Sequence, residues 1–328
     1  MQPSSPSATP VIDAAAWQAW LGRSETVTDT LHPGPLAGLS ATIDTAPFQP
    51  LPGQAVPPLW HWAYFLSQAP AHSLGRDGHP RRGDFLPPVA LPRRMWAGSR
   101  FVFEQPLRVG DVVQRTSTIE SITHKQGRSG HLVFVTVRHA YRIGAQPDSA
   151  VPALTEWHDI VYREEPPVVT AAQTAEAVAQ ANTASNVAPP FALNAPANST
   201  LHGPCEHQPD GSICQRWQAN PVLLFRYSAL TFNGHRIHYD QPYATQVEGY
   251  PGLVVHGPLL ATLMVDLVRT QWPQRQLADY HFKALHPVFD IHPFSLHARQ
   301  TDANTVSLWV QDWQGRRAME ATATLRVD

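Results

Sequence analysis

Apolar residues in this chain recur at two different periods, and the clearest helical one lies late in the sequence. Leu259, Leu260, Leu263, Met264, Leu267 and Val268 follow one-and-four spacing, which lays a stripe along one face of a 3.6-residue helix. Pro258 suits the first turn because it has no amide hydrogen to leave unpaired, and Gly257 before it lets a ligand approach the free amides there. A helix is therefore expected from Gly257 to Thr270. The earlier helical readings are shorter. They are a turn capped by Asp13 that carries Trp17, Trp20 and Leu21, a patch beginning near Pro35, and a buried aromatic helix over PPLWHWAYFLS, from Pro57 to Ser67.

The second period is that of strands. β-branched and aromatic residues with partial alternation, bounded by glycine-containing turns, mark SRFVFEQPL, VVQRTSTIESITHK, HLVFVTVRHAYRI and LTEWHDIVYRE. DYHFKALHPVF, FSLHARQT, TVSLWVQDW and RAMEATATLRV repeat the signal near the C-terminus. Each set of strands follows a helix, with Pro57 to Ser67 corresponding to Gly257 to Thr270. The economical reading is an α+β chain in which a sheet curls round a central helix, made twice and paired. Residues 1–163 form the first half and 205–328 the second. Residues 164–204, rich in Ala, Pro, Asn, Thr and Gln, read as a linker, with a turn or two of helix in TAAQTAEAVAQA.

Composition narrows the partners. The 24 basic and 26 acidic residues give a net charge of -2, which carries no footprint for nucleic acid or an anionic membrane and favours a small molecule. The 32 prolines imply many irregular connections. Cys205 and Cys214 are too few for a disulfide framework, so free thiols in a reducing compartment are expected. The start MQPSSPSATP has no basic and apolar leader pattern, and no apolar run reaches the ~18 residues that span a bilayer. A cytoplasmic protein is the expectation.

Candidate chemistry concentrates in RYSALTFNGHRIHYD, from Arg226 to Asp240, and in the approach to the late helix. His235, His238, Asp240 and His256 are of metal-ligating type, but their spacing matches neither HExxH nor a CxxC pair, so no metal is expected. Asp240 before Gln-Pro-Tyr-Ala reads as the N-cap of a short helix. His238 has the chemistry of a neutral-pH acid and base, and no GxSxG elbow supports a nucleophile. Between Arg76 and Arg100 six arginines sit in a loop broken by Pro and Gly, suited to a wet surface or to a carboxylate or phosphate.

YSALTFNGHRIHYD followed by EGYPGLVVHGPLLATL resembles the signature of the MaoC-like hydratases and dehydratases. The resemblance is to the branch of mesaconyl-C4-CoA hydratase, itaconyl-CoA hydratase and the mitochondrial-type 3-hydroxyacyl-thioester dehydratase. WHWAYF, GRDGHPRRGDFLPP, LPRRMWAGSR and the DIVYRE segment also resemble that branch, so the likeness covers nearly the whole chain. It implies a double hot dog fold and an acyl-CoA thioester substrate that gains or loses water, without a cofactor. In the wider family an aspartate and a histidine five residues later form the catalytic pair. His238 matches the histidine, while Asn233 stands at the aspartate, and an amide cannot take up a proton as a carboxylate does.

The resemblance thus implies His238 as proton shuttle, Asn233 as orienter of water, and the Gly257 amide as donor to the thioester oxygen. A dicarboxylic acyl group would need a cation, and Arg93, Arg94 and Arg236 are the candidates, with His256 nearby in sequence. The first half lacks a matching histidine and helix signature, so pocket walls and packing are expected of it. Three readings stand beside the hydratase: a 3-hydroxyacyl-ACP dehydratase, a hot dog thioesterase, and an acyl-thioester-binding protein without chemistry. A homodimer is compatible with all of them.

Overall fold

A computed structural model describes residues 15–44, 48–127, 130–144, 150–164 and 201–327. Among them the order of regular elements is β1 (Ser24–Thr30), α1 (Pro33–Ile43), β2 (Arg93–Phe103), β3 (Val112–Gly127), β4 (Gly130–Ile143) and β5 (Leu154–Arg163). There follow β6 (His202–His207), β7 (Ile213–Trp217), α2 (Pro221–Leu230), α3 (Gly257–Gln271), β8 (Gln276–Ala284), β9 (Phe294–Gln300), β10 (Thr305–Gln311) and β11 (Arg317–Arg326). The strands form a single 11-stranded sheet in the order β1-β3-β4-β5-β2-β8-β11-β10-β9-β7-β6. The two sheets expected from the repeat are therefore halves of one, joined where β2 pairs antiparallel with β8. Gly98 lies at this seam, where a side chain would meet the Phe282 carbonyl at 2.3 Å, so the backbones come closer than any other residue allows.

The late apolar stripe is helix α3, and it is buried more completely than a stripe requires. Leu259 through Val268 are all inside, because the sheet curls round the helix and β8, β9 and β10 pack against it. Truncating any of its leucines to alanine costs about 2–5 kcal/mol at such sites. The helix also buries Asp266, whose carboxyl is pushed up to about 6 by burial although Arg269 pairs with it. No helix among the described residues is long and apolar enough to cross a membrane.

Four expectations need correction or extension. PPLWHWAYFLS is not a helix but one 3-10 turn, Trp60–Ala63, between the left-handed residues Leu59 and Phe65. Its side chains are claimed by a distant acceptor. His61 Nε2 and Trp62 Nε1 reach the buried Glu156 on β5 at 3.4 and 3.3 Å, and Tyr141 Oη donates to the same carboxylate at 3.1 Å. Burial raises the Glu156 carboxyl, and the hydrogen bond from His61 leads the effects that outweigh it. The regular helix of the first half is α1, near Pro35 as expected.

Secondly, Arg93 and Arg94 open strand β2 and are not part of the loop before it. Thirdly, β6 begins at His202, inside the stretch read as linker. Fourthly, β1, β6 and β7 extend both edges of the sheet with strands that the alternation had not marked. Asp13 and the segment TAAQTAEAVAQA lie outside the described residues.

Candidate active site at the junction of the halves

Helix α2 ends at Leu230, and the chain then makes the turn that sets up the candidate chemistry. The Asn233 backbone N–H donates to Ser228 O at 2.8 Å, and its side-chain Oδ1 accepts from the His235 backbone N–H at 3.0 Å. The carbonyl end of Asn233 is thus committed to the backbone. Its amide end remains a donor. A 3-10 turn over Arg236–His238 follows, and Asp240 closes it. Asp240 Oδ1 accepts from Tyr243 N at 3.1 Å, the capping role expected of it.

His238 is buried and its tautomer is fixed by geometry. Nδ1 lies 2.7 Å from Val254 O, a carbonyl that can only accept, so Nδ1 carries the hydrogen and Nε2 carries the lone pair. Val254 N donates back to Ile237 O at 3.0 Å, which locks the two segments together. Burial pushes His238 down to about 4, against the pull of the Val254 carbonyl. It is therefore neutral at pH 7 and able to accept a proton.

His256 backs this ring. The two imidazoles stack with centroids 3.7 Å apart and planes at 18°, and His256 Nε2 shares a hydrogen bond of 2.8 Å with Ser228 Oγ. His256 is 0% exposed, which gives it a supporting place behind His238 and leaves no face for a substrate. It is also the N-cap residue of α3, without a side-chain cap. The Gly257 and Leu259 amides are among the first-turn donors that a helix leaves without internal partners. A Cβ at Gly257 would meet only Met319 Cε at 3.8 Å, so packing alone does not demand glycine there.

The three candidate arginines separate clearly. Arg236 is occupied: its Nε and Nη2 reach Asp240 Oδ2 at 2.9 and 2.7 Å, and its guanidinium lies over the Tyr243 ring at 4.2 Å. Arg93 is occupied too, by Glu248 Oε2 at 3.3 Å and Glu248 O at 3.0 Å. Arg94 has no carboxylate within ion-pair distance among the described residues. Its charge instead bears on His79, His235 and His158.

A further group reaches the site from the first half, where only walls were expected. The loop from Gly75 to Arg82 places Asp77 Oδ2 3.1 Å from His79 Nδ1, while Asp77 Oδ1 accepts from the His79 backbone at 3.1 Å. Burial pushes the Asp77 carboxyl up, but these hydrogen bonds outweigh it and hold the group well below the usual carboxylate range. His79 is pushed down by burial against the pull of Asp77. Its ring packs on His235 at 4.2 Å, and His235 stands edge-on to His238 at 5.5 Å and 89°. Arg82 braces the loop by donating to the Val89, Leu91 and Pro92 carbonyls.

The two loops meet backbone to backbone. Gly78, with φ +87°, has no room for a side chain, because a Cβ would lie 2.0 Å from Gly234 O. Arg236 N donates to Asp77 O at 2.9 Å beside this contact. Asp77, His79 and His235 are the one group of His, Cys, Asp and Glu donors among the described residues whose atoms fall within 4.8 Å of one another. Asp77 and His79 are already hydrogen-bonded, and the His79 and His235 rings lie tilted at 44° to each other.

The chain's relatives agree with this fold. The sequence pattern of the family described as hydroxyacyl-thioester dehydratase type 2 matches residues 59–193 and 189–290. Mesaconyl-C(4)-CoA hydratase of Chloroflexus aurantiacus is 40% identical over 314 residues, 96% of this chain and 99% of that one. A mitochondrial hydroxyacyl-thioester dehydratase type 2 of Schizosaccharomyces pombe is 40% identical over 92 residues, 27% of this chain and 29% of its own. Among solved structures, a MaoC-like dehydratase superposes with TM-score 0.63 at 15% identity, covering 95% of this chain and all of that one. A Mycobacterium tuberculosis protein with a double hotdog fold superposes with TM-score 0.53 at 14% identity, covering 93% and 96%.

Proposed function

The chain belongs to the hydroxyacyl-thioester dehydratase type 2 family and is a hydro-lyase of acyl thioesters, and from that premise we propose a branched, dicarboxylic enoyl-CoA of the mesaconyl kind as its substrate. The near-complete coverage of a mesaconyl-C(4)-CoA hydratase supports the acyl group. Arg94 supports it independently, as the candidate arginine with no carboxylate at ion-pair distance among the described residues, where Arg93 and Arg236 have theirs.

The observation that carries the mechanism is the fixed tautomer of His238. With Nδ1–H held by Val254 O, Nε2 is the atom that removes a proton from water as the oxygen bonds to the β carbon. The free amide end of Asn233 donates to that water and orients it. The π electrons of the double bond move toward the thioester oxygen, where the Gly257 amide meets the growing negative charge. That interaction strengthens in the transition state and so accelerates the reaction, by about 100- to 1000-fold for one such donor.

The test is spectrophotometric. Hydration removes the absorbance of the conjugated enoyl thioester without releasing thiol, whereas a thioesterase would release it. His238→Ala is expected to lose at least ~100-fold in kcat with an unchanged unfolding transition. Arg94→Ala is expected to raise KM for mesaconyl-CoA far more than for crotonyl-CoA. Turnover by His238→Ala close to that of the wild type sinks the assignment, and equal losses on the two thioesters remove the role given to Arg94.

A further inference from the structure

We propose that His79, oriented by Asp77, is the second proton-transfer group of this site and works opposite His238. The proposal deepens the hydratase reading and rests on it. Addition of water needs one proton taken from oxygen and one delivered to the α carbon. Asn233, five positions before His238, cannot be the second carrier, because an amide takes up no proton and its Oδ1 is spent on the His235 backbone. The first half supplies what is missing.

Asp77 does for His79 what an orienting carboxylate does for a catalytic imidazole. It fixes Nδ1 as the hydrogen-bearing nitrogen that faces it, turns Nε2 outward, and balances the imidazolium charge. The His79 ring lies 4.2 Å from that of His235, and His235 stands edge-on to His238 at 5.5 Å, so the two carriers are linked through the His235 ring and the His79 charge bears on His238. Their relative position is held by the contact of Gly78 with Gly234 and by the Arg236 N to Asp77 O hydrogen bond.

His238 Nε2 takes a proton from water while the oxygen forms the bond to the β carbon, and the double-bond pair shifts onto the thioester oxygen. The enolate then collapses, its electron pair forming a C–H bond at the α carbon with the proton of the His79 imidazolium. His79 is left neutral beside the Asp77 carboxylate. Return of the proton from His238 to His79, past His235, closes the cycle with one water consumed. Dehydration runs the same steps backward, with neutral His79 as the base.

The groups that face His79 are Asp77, Arg82, Arg94, His235 and His238. Because His79 acts as an acid in hydration, kcat for hydration falls as pH rises through its titration, and kcat for dehydration falls as pH drops through it. The experiment compares the wild type, His79→Gln, Asp77→Asn and His238→Ala in both directions across pH, with thermal unfolding of each. His79→Gln is expected to lose about 100-fold or more in kcat with little change in KM, and to lose the alkaline limb of the hydration profile. Asp77→Asn keeps the shape but removes the counter-charge, so that limb moves to lower pH. This shift is one that a purely structural role would not produce, and it is readable even if His79→Gln is poorly folded.

Extensive dialysis against a chelator is expected to leave wild-type turnover unchanged. Three results overturn the proposal. One is His79→Gln within threefold of the wild type with the same pH profile. Another is Asp77→Asn with an unmoved alkaline limb. The third is activity abolished by the chelator and restored by zinc, which would make Asp77, His79 and His235 a metal site. If His238→Ala is inactive while His79→Gln is normal, only the pairing fails. If the wild type hydrates no enoyl thioester, the hydratase reading fails with it.

Discussion

Replacing Gly78 by alanine tests how the two halves build one site. The backbone at Gly78 has φ +87°, a region in which an L side chain costs about 1–2 kcal/mol. The larger effect is steric. A Cβ would sit 2.0 Å from Gly234 O and 3.0 Å from Gly234 C, and both of those atoms are backbone. Relief requires the loops to part by about 1 Å, and a misplacement of that size costs on the order of 100-fold in rate.

Gly110 provides the control, since it has φ +96° and nothing within 4 Å of its Cβ position. Gly110→Ala carries the backbone cost without the clash. Steady-state kcat and thermal unfolding, measured side by side, are expected to show Gly78→Ala losing activity and the larger share of stability, while Gly110→Ala loses only the backbone cost and keeps its activity. If Gly78→Ala retains turnover within threefold of the wild type, the first-half loop does not hold the catalytic geometry.

Two further predictions concern stability. Asp266 has its carboxyl raised to about 6 in the fold, so the folded state prefers it protonated, and stability is lost as pH rises from ~4 through ~6. Above that window the buried charge costs on the order of 3 kcal/mol, and Asp266→Asn is expected to raise the unfolding midpoint at pH 8 but not at pH 4; a gain independent of pH contradicts this. Glu156→Ala leaves His61, Trp62 and Tyr141 without their common acceptor and is expected to lower stability in urea by about 3–5 kcal/mol. A loss below about 1 kcal/mol would show that the network does not anchor the 3-10 turn.

What could be read in the chain alone was whatever depends on local periodicity. The stripe from Leu259 to Val268 specified α3, and alternation located the eight long strands, because burial on one face leaves its mark every 3.6 or 2 residues. Asp240 was legible as a cap for the same reason, its partner being three residues away. WHWAYF reads as a helix although its geometry is set by Glu156, 95 positions after His61, because no local period records that tie. β6 and β7, with HGPCEH and ICQRW, are edge strands too polar and too short to alternate visibly.

The same distinction runs through the site. Asn233, His238 and Gly257 share one segment and could be picked out together. Asp77 and His79 lie in a Pro- and Gly-broken loop whose arginines are its visible candidate chemistry, and they meet His235 through a fold-level contact between two glycines. The available signal was the Asp-Gly-His sequence itself, a carboxylate and an imidazole spaced to hydrogen-bond across a turn. Arg93 and Arg236 could not be told from Arg94 without knowing that Glu248 and Asp240 had claimed them.

The seam between β2 and β8 also sets a schedule for making the protein. Strand β2 ends at Phe103 and β8 does not start until Gln276, so 173 residues must be synthesised before the inner edge of the first half finds its partner. At roughly 5–20 residues per second this is an interval of about 9–35 s during which a ribosome-bound first half carries an open strand edge. Open edges recruit other chains. Expression yield in this protein is therefore expected to depend on elongation rate and chaperone supply between those two strands more than on the stability of the finished fold.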